Sequence, residues 1–185
     1  MSLMDSFEQF EQKFGPGNRY APVPAVVLEE LRKHQFPDFY LQYLERNGFK
    51  EFLDGFWWFT NPLELHEELA AFAGSSIVFP IIRNAFGCFL VRRDNTYYHL
   101  NVHTKNLALL GPHLALILNM TYTDDYALRD MFFFELFKPA LNEVGRIAED
   151  EMYAFAPALA MGGTVSAEGL HKVRLREHLA FLAAL

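Results

Sequence analysis

The sequence predicts an α+β fold in which an antiparallel β-meander is packed with helices at both ends. Two observations lead to this prediction. Apolar residues recur at helical spacing in most of the chain before residue 75 and again beyond residue 112. Between these parts, four runs at residues 77–82, 88–92, 96–102 and 107–110 have the period of strands and are separated by short turns. We therefore expect one domain at residues 4–112 and a mainly helical domain, residues 113–185, packed on it.

The first domain begins with three predicted helices. In residues 6–14, three phenylalanines lie at helical spacing, and a Gly-Pro-Gly breaker follows at Gly15. Residues 25–33 and 39–47 carry further apolar stripes, and Gly48 is placed to end the third helix.

A short aromatic strand is predicted at residues 55–59, because this run is bounded by Gly55 at its start and by Asn61-Pro62 after its end. Side chains alternate along a strand, so Trp57 and Trp58 should face opposite sides, with one in the core and the other beneath a helix or a partner. Tryptophan supplies a large contact area and is enriched at binding hot spots. Trp57 is therefore a candidate partner contact, although core packing is the commoner role of such a residue.

Five further helices are predicted after this strand. Asn61 can cap the first of them, with Pro62 at its first position and Gly74 at its end. The other four lie beyond residue 112, at residues 114–118, 126–137, 139–147 and 167–184. Either Thr123 or Asp124 can cap the helix at residues 126–137.

Two of the C-terminal helices carry more specific expectations. Residues 131–137 are apolar on all sides, which predicts a central buried helix. The last helix should be capped by Thr164 or Ser166 and should bury a stripe of three leucines. These are Leu175, Leu179 and Leu182.

The charge and composition of the chain exclude several functional classes. The formal net charge is −7, and no basic run exceeds the pair Arg92-Arg93, so we expect no direct binding of nucleic acid. An acidic surface favours a basic partner instead. No apolar stretch approaches the ~20 residues of a membrane-spanning helix. Because Cys88 is the only cysteine and no export signal is visible, we expect a reducing, cytoplasmic location, with Met1 to Leu3 compatible with an expression scar before a native Met4.

The candidate metal and catalytic groups do not form a plausible site. His99 and His103 lie four residues apart in a predicted strand, so about 13 Å separates them. His171 and His178 lie seven residues apart on the predicted last helix, a rise of about 10 Å. Cys88 lies in an apolar run, as an inert buried thiol does. We therefore expect no metal, no cofactor and no enzymatic activity.

The densest acidic run is Glu149-Asp150-Glu151. Such a run forms either a solvated turn or a contact with cations of a partner, and the sequence leaves both possible. These three carboxylates and Trp57 are the candidate partner-binding residues.

Four stretches of the chain together resemble a bacterial protein family. They are DGFWWFTNP at residues 54–62, AFGCF at residues 85–89, DEMYAFAPALAMGG at residues 150–163 and VRLREHL at residues 173–179. The family has a GAD-like N-terminal domain and a C-terminal domain of type VI secretion DNase-immunity proteins. The third stretch is the most specific, although Ala154 stands where the family pattern has glycine.

The resemblance implies an antitoxin that binds a cognate nuclease effector in the cytoplasm and prevents it from degrading DNA. From the acidic charge of the chain, we expect it to cover the basic, DNA-facing surface of the nuclease. It brings no catalytic residues. A second interpretation is a general ligand-binding or regulatory module of GAD-like fold without a toxin partner, because a fold alone does not establish a function.

Overall fold

A seven-stranded antiparallel sheet runs through the molecule in a computed structural model that describes residues 6–185. The predicted scar at Met1 to Leu3 lies outside the described residues. The strands follow one another in space as they do in sequence. They are β1 (Asn18–Ala21), β2 (Phe49–Phe52), β3 (Trp57–Phe59), β4 (Phe79–Asn84), β5 (Cys88–Arg93), β6 (Thr96–Asn101) and β7 (Asn106–Gly111). A separate antiparallel hairpin pairs β8 (Glu151–Phe155) with β9 (Leu170–Arg174).

Helices precede, interrupt and follow the sheet. They are α1 (Glu8–Phe14), α2 (Ala25–Lys33), α3 (Asp38–Asn47), α4 (His66–Ala73), α5 (Leu114–Leu116), α6 (Asp125–Asp130), α7 (Phe134–Glu143) and α8 (Leu175–Ala184). A π-helical turn, Ile117–Thr121, continues α5. The predicted α+β class and its antiparallel meander are confirmed.

Turn chemistry explains why the meander forms in this register. Arg93 of β5 pairs with Thr96 of β6, which leaves a two-residue turn. Asp94 and Asn95 in that turn both have positive φ, which right-twisted hairpins require and which Asn and Asp tolerate best among non-glycine residues. At the β4–β5 turn, the side-chain oxygen of Asn84 accepts hydrogen bonds from the amides of Phe86 and Cys88.

One side of the sheet, here called the aromatic face, is closed by both ends of the chain. It presents Phe52, Trp57, Phe59, Ile82, Leu90 and His99. Helices α1 and α3 pack on it through Phe10 and Tyr43. The part of the chain after β7 packs on it through Tyr122 and Phe132. The core is therefore shared across the predicted domain boundary at residues 112 and 113.

The opposite side, here called the cavity face, presents Trp58, Arg83, Phe89, Leu100 and Leu107. Helices α4 and α8 cover its far end, where buried leucines pack with Phe89 and Leu100. The predicted leucine stripe of the last helix is confirmed, because Leu175, Leu179 and Leu182 are all buried there. Over Trp58 and Arg83, the same face borders an open cavity.

The prediction of a central helix at residues 131–137 is wrong. Helix α6 is capped by Asp124, whose side chain accepts a hydrogen bond from the Ala127 amide at 2.8 Å, and it ends at Asp130. Phe133 has a φ of +58°, which is outside the range of a right-handed helix and separates α6 from α7. Phe132 is fully buried, but Phe133 and Phe134 are only partly buried. Three successive phenylalanines therefore point in different directions rather than around one helix.

The predicted last helix is also too long. Helix α8 begins at Leu175, with Arg174 and not Thr164 or Ser166 at its N-cap position. The preceding residues form β9, which is held in register by β8. His171 therefore lies on a strand and only His178 lies on the helix, so the two histidines do not share an element.

Helix α4 begins later than predicted. Asn61 accepts a hydrogen bond from the Leu63 amide at 3.1 Å and so makes a local turn, not a helix cap. Leu65 has positive φ, and the helix starts only at His66. Gly74 ends it in the left-handed conformation, as predicted.

Candidate functional site

Trp57 lies in the core and not on a surface. Its ring is fully buried on the aromatic face, with its centroid 4.7 to 6.2 Å from the rings of five aromatic neighbours. These are Phe10, Phe14, Phe56, Tyr122 and Phe132. In this fold Trp57 offers no surface area to a partner.

The acidic run at residues 149–151 comprises the turn before β8 and the first residue of that strand, here together called the acidic turn, and its three carboxylates have different surroundings. Glu149 is exposed, whereas Asp150 forms an ion pair with Arg174. Glu151 accepts a hydrogen bond from the Ala148 amide at 2.9 Å and lies 4.0 Å from Lys172. Of the three carboxylates, Glu149 is therefore the one that forms no ion pair within the described residues.

The main chain of the acidic turn is tied to both neighbouring elements. The Glu149 carbonyl accepts a hydrogen bond from Arg83 Nη2 at 2.7 Å, and the Asp150 carbonyl accepts one from the Leu175 amide at 2.8 Å. The turn thus joins the cavity face of the sheet to the first residue of α8.

These contacts border a cavity of about 590 Å³. One wall consists of sheet residues, among them Tyr20, Phe49, Trp58, Thr60 and Arg83. The other wall comes from the C-terminal part and includes Glu149, Asp150, Arg174, Leu175 and Arg176. The structure therefore brings Glu149 and Asp150 together with Trp58, whereas Trp57 and Glu151 are not among the lining residues.

Arg83 is the only cation with a wholly buried side chain in this wall, at 1% exposure. Its Nη1 donates to the Asn84 carbonyl at 3.2 Å, and its guanidinium carbon lies 5.2 Å from the centre of the Trp58 ring. Within residues 6–185, no carboxylate forms an ion pair with Arg83. Burial lowers the pKa of Arg83 from 12.5 to about 10, so the guanidinium is still charged at neutral pH.

Tyr20 and Thr60 complete the inner part of the cavity. The Tyr20 hydroxyl donates to the Phe59 carbonyl at 2.7 Å, and its ring meets Trp58 edge to face at 5.4 Å. Burial raises the pKa of Tyr20, so its side chain stays uncharged in the wall of the cavity. The hydroxyl of Thr60 is buried and has no hydrogen-bond partner within the described part of the chain. The inner wall is thus aromatic, with one charged and one unsatisfied polar group.

Strand register explains why these residues meet. Trp58 is the cross-strand partner of Arg83, and Thr60 follows Trp58 by two residues, so all three side chains share one face. The predicted alternation of Trp57 and Trp58 is therefore correct. Sequence reasoning missed Arg83, although a single arginine inside the apolar run of residues 77–91 is an available signal, because charged residues are rarely buried without a partner.

The histidines are placed elsewhere. Burial lowers the pKa of both His99 and His103 to about 4, and the His103 Nε2 atom lies 2.7 Å from the Phe86 carbonyl. Across residues 6–185, no three His, Cys, Asp or Glu side chains are grouped as metal ligands would be. Cys88 is buried, and this raises its pKa, as expected for an inert thiol.

None of the helices in the described residues combines the length and the apolar character that a membrane crossing requires.

Comparisons with known proteins match both parts of the chain. The GAD-like domain matches residues 5–106, and the C-terminal domain of the type VI secretion immunity protein Tdi1 matches residues 117–185. The combination of domains expected from the sequence is thus confirmed, and the second match supports an immunity role. None of the curated proteins matches the chain in sequence.

A solved structure has the same fold. The crystal structure of Atu4351 from Agrobacterium tumefaciens gives a TM-score of 0.81 at 16% sequence identity. The match covers 96% of this chain and 88% of that chain, so the sheet and the C-terminal elements occur together in both proteins.

Proposed function

The chain belongs to the GAD-like domain family, and on this premise we propose that it is a type VI secretion immunity protein that neutralises a cognate DNase effector in the cytoplasm. The observation that carries the proposal is the match of residues 117–185 to the C-terminal domain of the immunity protein Tdi1. The protein acts by binding and not by catalysis.

Charge complementarity supports a nuclease as the partner. A surface that binds DNA must be basic to neutralise phosphates, and this chain has a net charge of −7. Opposite charges accelerate the encounter of two proteins and disfavour wrong partners. The immunity protein thus competes with DNA for the basic surface of the effector.

We place the acidic turn, Glu149 to Glu151, at the edge of this interface. Glu149 is exposed and available to a cation of the effector. The ion pair between Asp150 and Arg174 is more than half exposed on both sides, so it contributes little stability and can exchange partners at little cost. Glu151 is the least accessible of the three and serves mainly to hold the turn.

The first experiment tests the immunity role itself. The protein is purified with the nuclease domain of the effector encoded beside it, and DNA cleavage is followed as the molar ratio of the two is raised. We expect a stable complex and loss of cleavage near equal amounts. Full nuclease activity in the presence of excess protein, without complex formation, would contradict the immunity role.

The second experiment tests the acidic turn. A triple variant, Glu149→Lys, Asp150→Lys and Glu151→Lys, should associate about tenfold more slowly at low salt. The difference should shrink near ~1 M salt, where the Debye length is ~3 Å. The control is a second triple variant with the same change of charge at exposed sites away from the cavity. It consists of Glu29→Lys, Glu67→Lys and Glu135→Lys.

The comparison of these two variants separates local from general electrostatics. If both slow association equally, only the net charge matters and the acidic turn is not part of the interface. If the first variant is folded and binds as fast as the unmodified protein, the turn is likewise excluded, although immunity still stands.

The cavity favours a second function, that of a ligand-binding or regulatory module. Its volume of about 590 Å³ lies within the usual range of ~300–1,000 Å³ for small-molecule sites. The nuclease experiment discriminates between the two functions, because a module without a toxin partner leaves DNA cleavage unchanged.

A further inference from the structure

We infer that the cavity between the sheet and the acidic turn binds a small organic anion, whose carboxylate or phosphate group is held by Arg83 and Thr60. The apolar body of the ligand lies against the aromatic wall formed by Tyr20, Phe49 and Trp58. This site goes beyond the proposed immunity role and does not depend on it.

The first step of the argument is the charge of Arg83. A cation removed from water is strongly unfavourable unless an anion pairs with it. In the described residues, Arg83 has only two carbonyl acceptors, those of Asn84 and Glu149. The carboxylates of Glu149 and Asp150 belong to the same wall and favour the charged form of Arg83 through space, but neither forms an ion pair with it, and Asp150 is engaged by Arg174. A bound anion would supply the direct ionic partner that Arg83 lacks.

The geometry of Arg83 suits an oxyanion. A guanidinium carries five N–H groups in a rigid planar fork that matches carboxylate and phosphate oxygens. Two of these groups donate to carbonyls, which fixes the plane of the fork and leaves the others for a ligand. The guanidinium carbon also lies 5.2 Å from the centre of the Trp58 ring, and this cation–π contact further restrains the orientation of the guanidinium.

Thr60 provides a second and independent observation. Its side chain lines the same cavity, the residue is only 8% exposed, and its hydroxyl has no partner in the part of the chain that the structure describes. A buried hydroxyl without a hydrogen bond is unfavourable. Donation to an anion held by Arg83 would satisfy it.

The remaining walls define what kind of anion fits. The aromatic wall faces Leu65 and Leu175, so the ligand carries an apolar portion. At the mouth, Arg174 is paired to Asp150, and Arg176 is paired to Glu64 and Glu68. The carboxylates of Glu149 and Glu177 also line the cavity, so its acidic groups outnumber its arginines. A mouth without excess positive charge does not favour a polyanion. The fit is to a small molecule with one acidic group.

The test uses isothermal calorimetry with two anionic probes, phenylacetate and phenyl phosphate, which distinguish the two possible head groups. Phenylacetamide has the shape of phenylacetate without its charge, and inorganic phosphate has no apolar body. We expect at least one aromatic anion to bind with a Kd of about 1 mM or tighter, as its size allows. Phenylacetamide and inorganic phosphate should bind at least about tenfold more weakly, because the first lacks the negative charge and the second lacks the apolar ring.

Two variants connect binding to the cavity. Arg83→Met keeps a long side chain but removes the charge, and it should abolish the preference for the anion over the amide. Since Arg83 also holds the Glu149 carbonyl, this variant is first checked for folding by circular dichroism. Thr60→Val removes only the unsatisfied hydroxyl and should fold, yet it should weaken anion binding by about tenfold.

Thr104→Val is the matched control, because Thr104 is exposed and does not line the cavity. Its anion affinity should equal that of the unmodified protein. The inference is overturned if neither anion binds, if the amide binds as tightly as phenylacetate, or if Thr60→Val leaves the affinity unchanged. In the last case, Thr60 is a structural residue and any bound anion lies elsewhere.

Discussion

The two faces of the seven-stranded sheet carry neighbouring tryptophans in very different surroundings. On the aromatic face, Trp57 is enclosed by five aromatic rings from both ends of the chain. On the cavity face, Trp58 meets the ring of Tyr20 and the guanidinium of Arg83 and borders open space. The aromatic face thus holds the two parts of the chain together, whereas the cavity face leaves room for a ligand.

The largest expected effect is a direct test of this difference. Trp57→Ala should lower the free energy of unfolding by about 3–5 kcal/mol, as truncation of a buried aromatic residue does. Trp58→Ala should cost about 1 kcal/mol less, since the cavity beside it lets water and neighbouring side chains relax into the space. Urea denaturation measures both values. Equal losses for the two variants would show that the cavity face is packed as tightly as the aromatic face.

The aromatic face was largely predictable from the sequence. Its helices α1 and α3 carry regular apolar stripes, and the alternation of Trp57 with Trp58 follows from the period of a strand. The wrong prediction on this side of the sheet concerns one short segment. The run Phe132-Phe133-Phe134 is equally apolar in every direction, so its pattern does not reveal the break that positive φ at Phe133 introduces.

The cavity face was predicted less well because it depends on contacts between distant parts of the chain. Strands β1 and β9 are short and have no regular apolar alternation, and their pairing with β2 and β8 is what makes them strands. The acidic run was singled out from its charge alone, and its role as a partner contact stays a prediction. Its attachment to Arg83 joins residues 66 positions apart, which no local pattern can indicate.

The second prediction concerns acid sensitivity, and it compares a histidine of the aromatic face with one on the helix that covers the cavity face. Burial against Phe132 lowers the pKa of His99 from 6.5 to about 4. The unfolded chain therefore takes up a proton before the folded protein does, so stability is complete above pH 6.5 and falls as the pH drops towards 4. For one such group the loss is about 3 kcal/mol, at about 1.4 kcal/mol per pKa unit.

His99→Phe should remove the contribution of His99, so that the free energy of unfolding of this variant falls less than that of the unmodified protein between pH 7 and pH 4. His103, whose pKa burial also lowers to about 4, keeps its own contribution in both proteins. Urea melts across this range measure the difference. The pKa of His178, on the helix that covers the cavity face, is lowered by burial as well, but the side chain is only partly buried. His178→Gln should therefore flatten the profile less. If the two variants have the same effect, the burial of His99 on the aromatic face contributes no more to acid sensitivity than the partial burial of His178.

The smallest expected effect concerns how a helix begins on each side of the sheet. On the side of the aromatic face, α6 is capped by a side chain, since Asp124 accepts a hydrogen bond from the Ala127 amide. On the side of the cavity face, α8 has no side-chain cap, and its first amide instead donates to the main-chain carbonyl of Asp150. A substitution to alanine removes the first of these bonds and leaves the second in place.

Asp124→Ala should therefore lower the free energy of unfolding by about 1 kcal/mol, as the loss of an N-cap side chain does. Asp150→Ala removes only an exposed ion pair with Arg174, so its effect should stay within about 0.5 kcal/mol. Denaturant melts of both variants decide the matter. A loss of 1 kcal/mol or more for Asp150→Ala would mean that its carboxylate, and not its carbonyl, anchors the acidic turn to α8. The charge-reversed turn would then unfold in part, and slow binding of a nuclease by that variant would no longer indicate an interface.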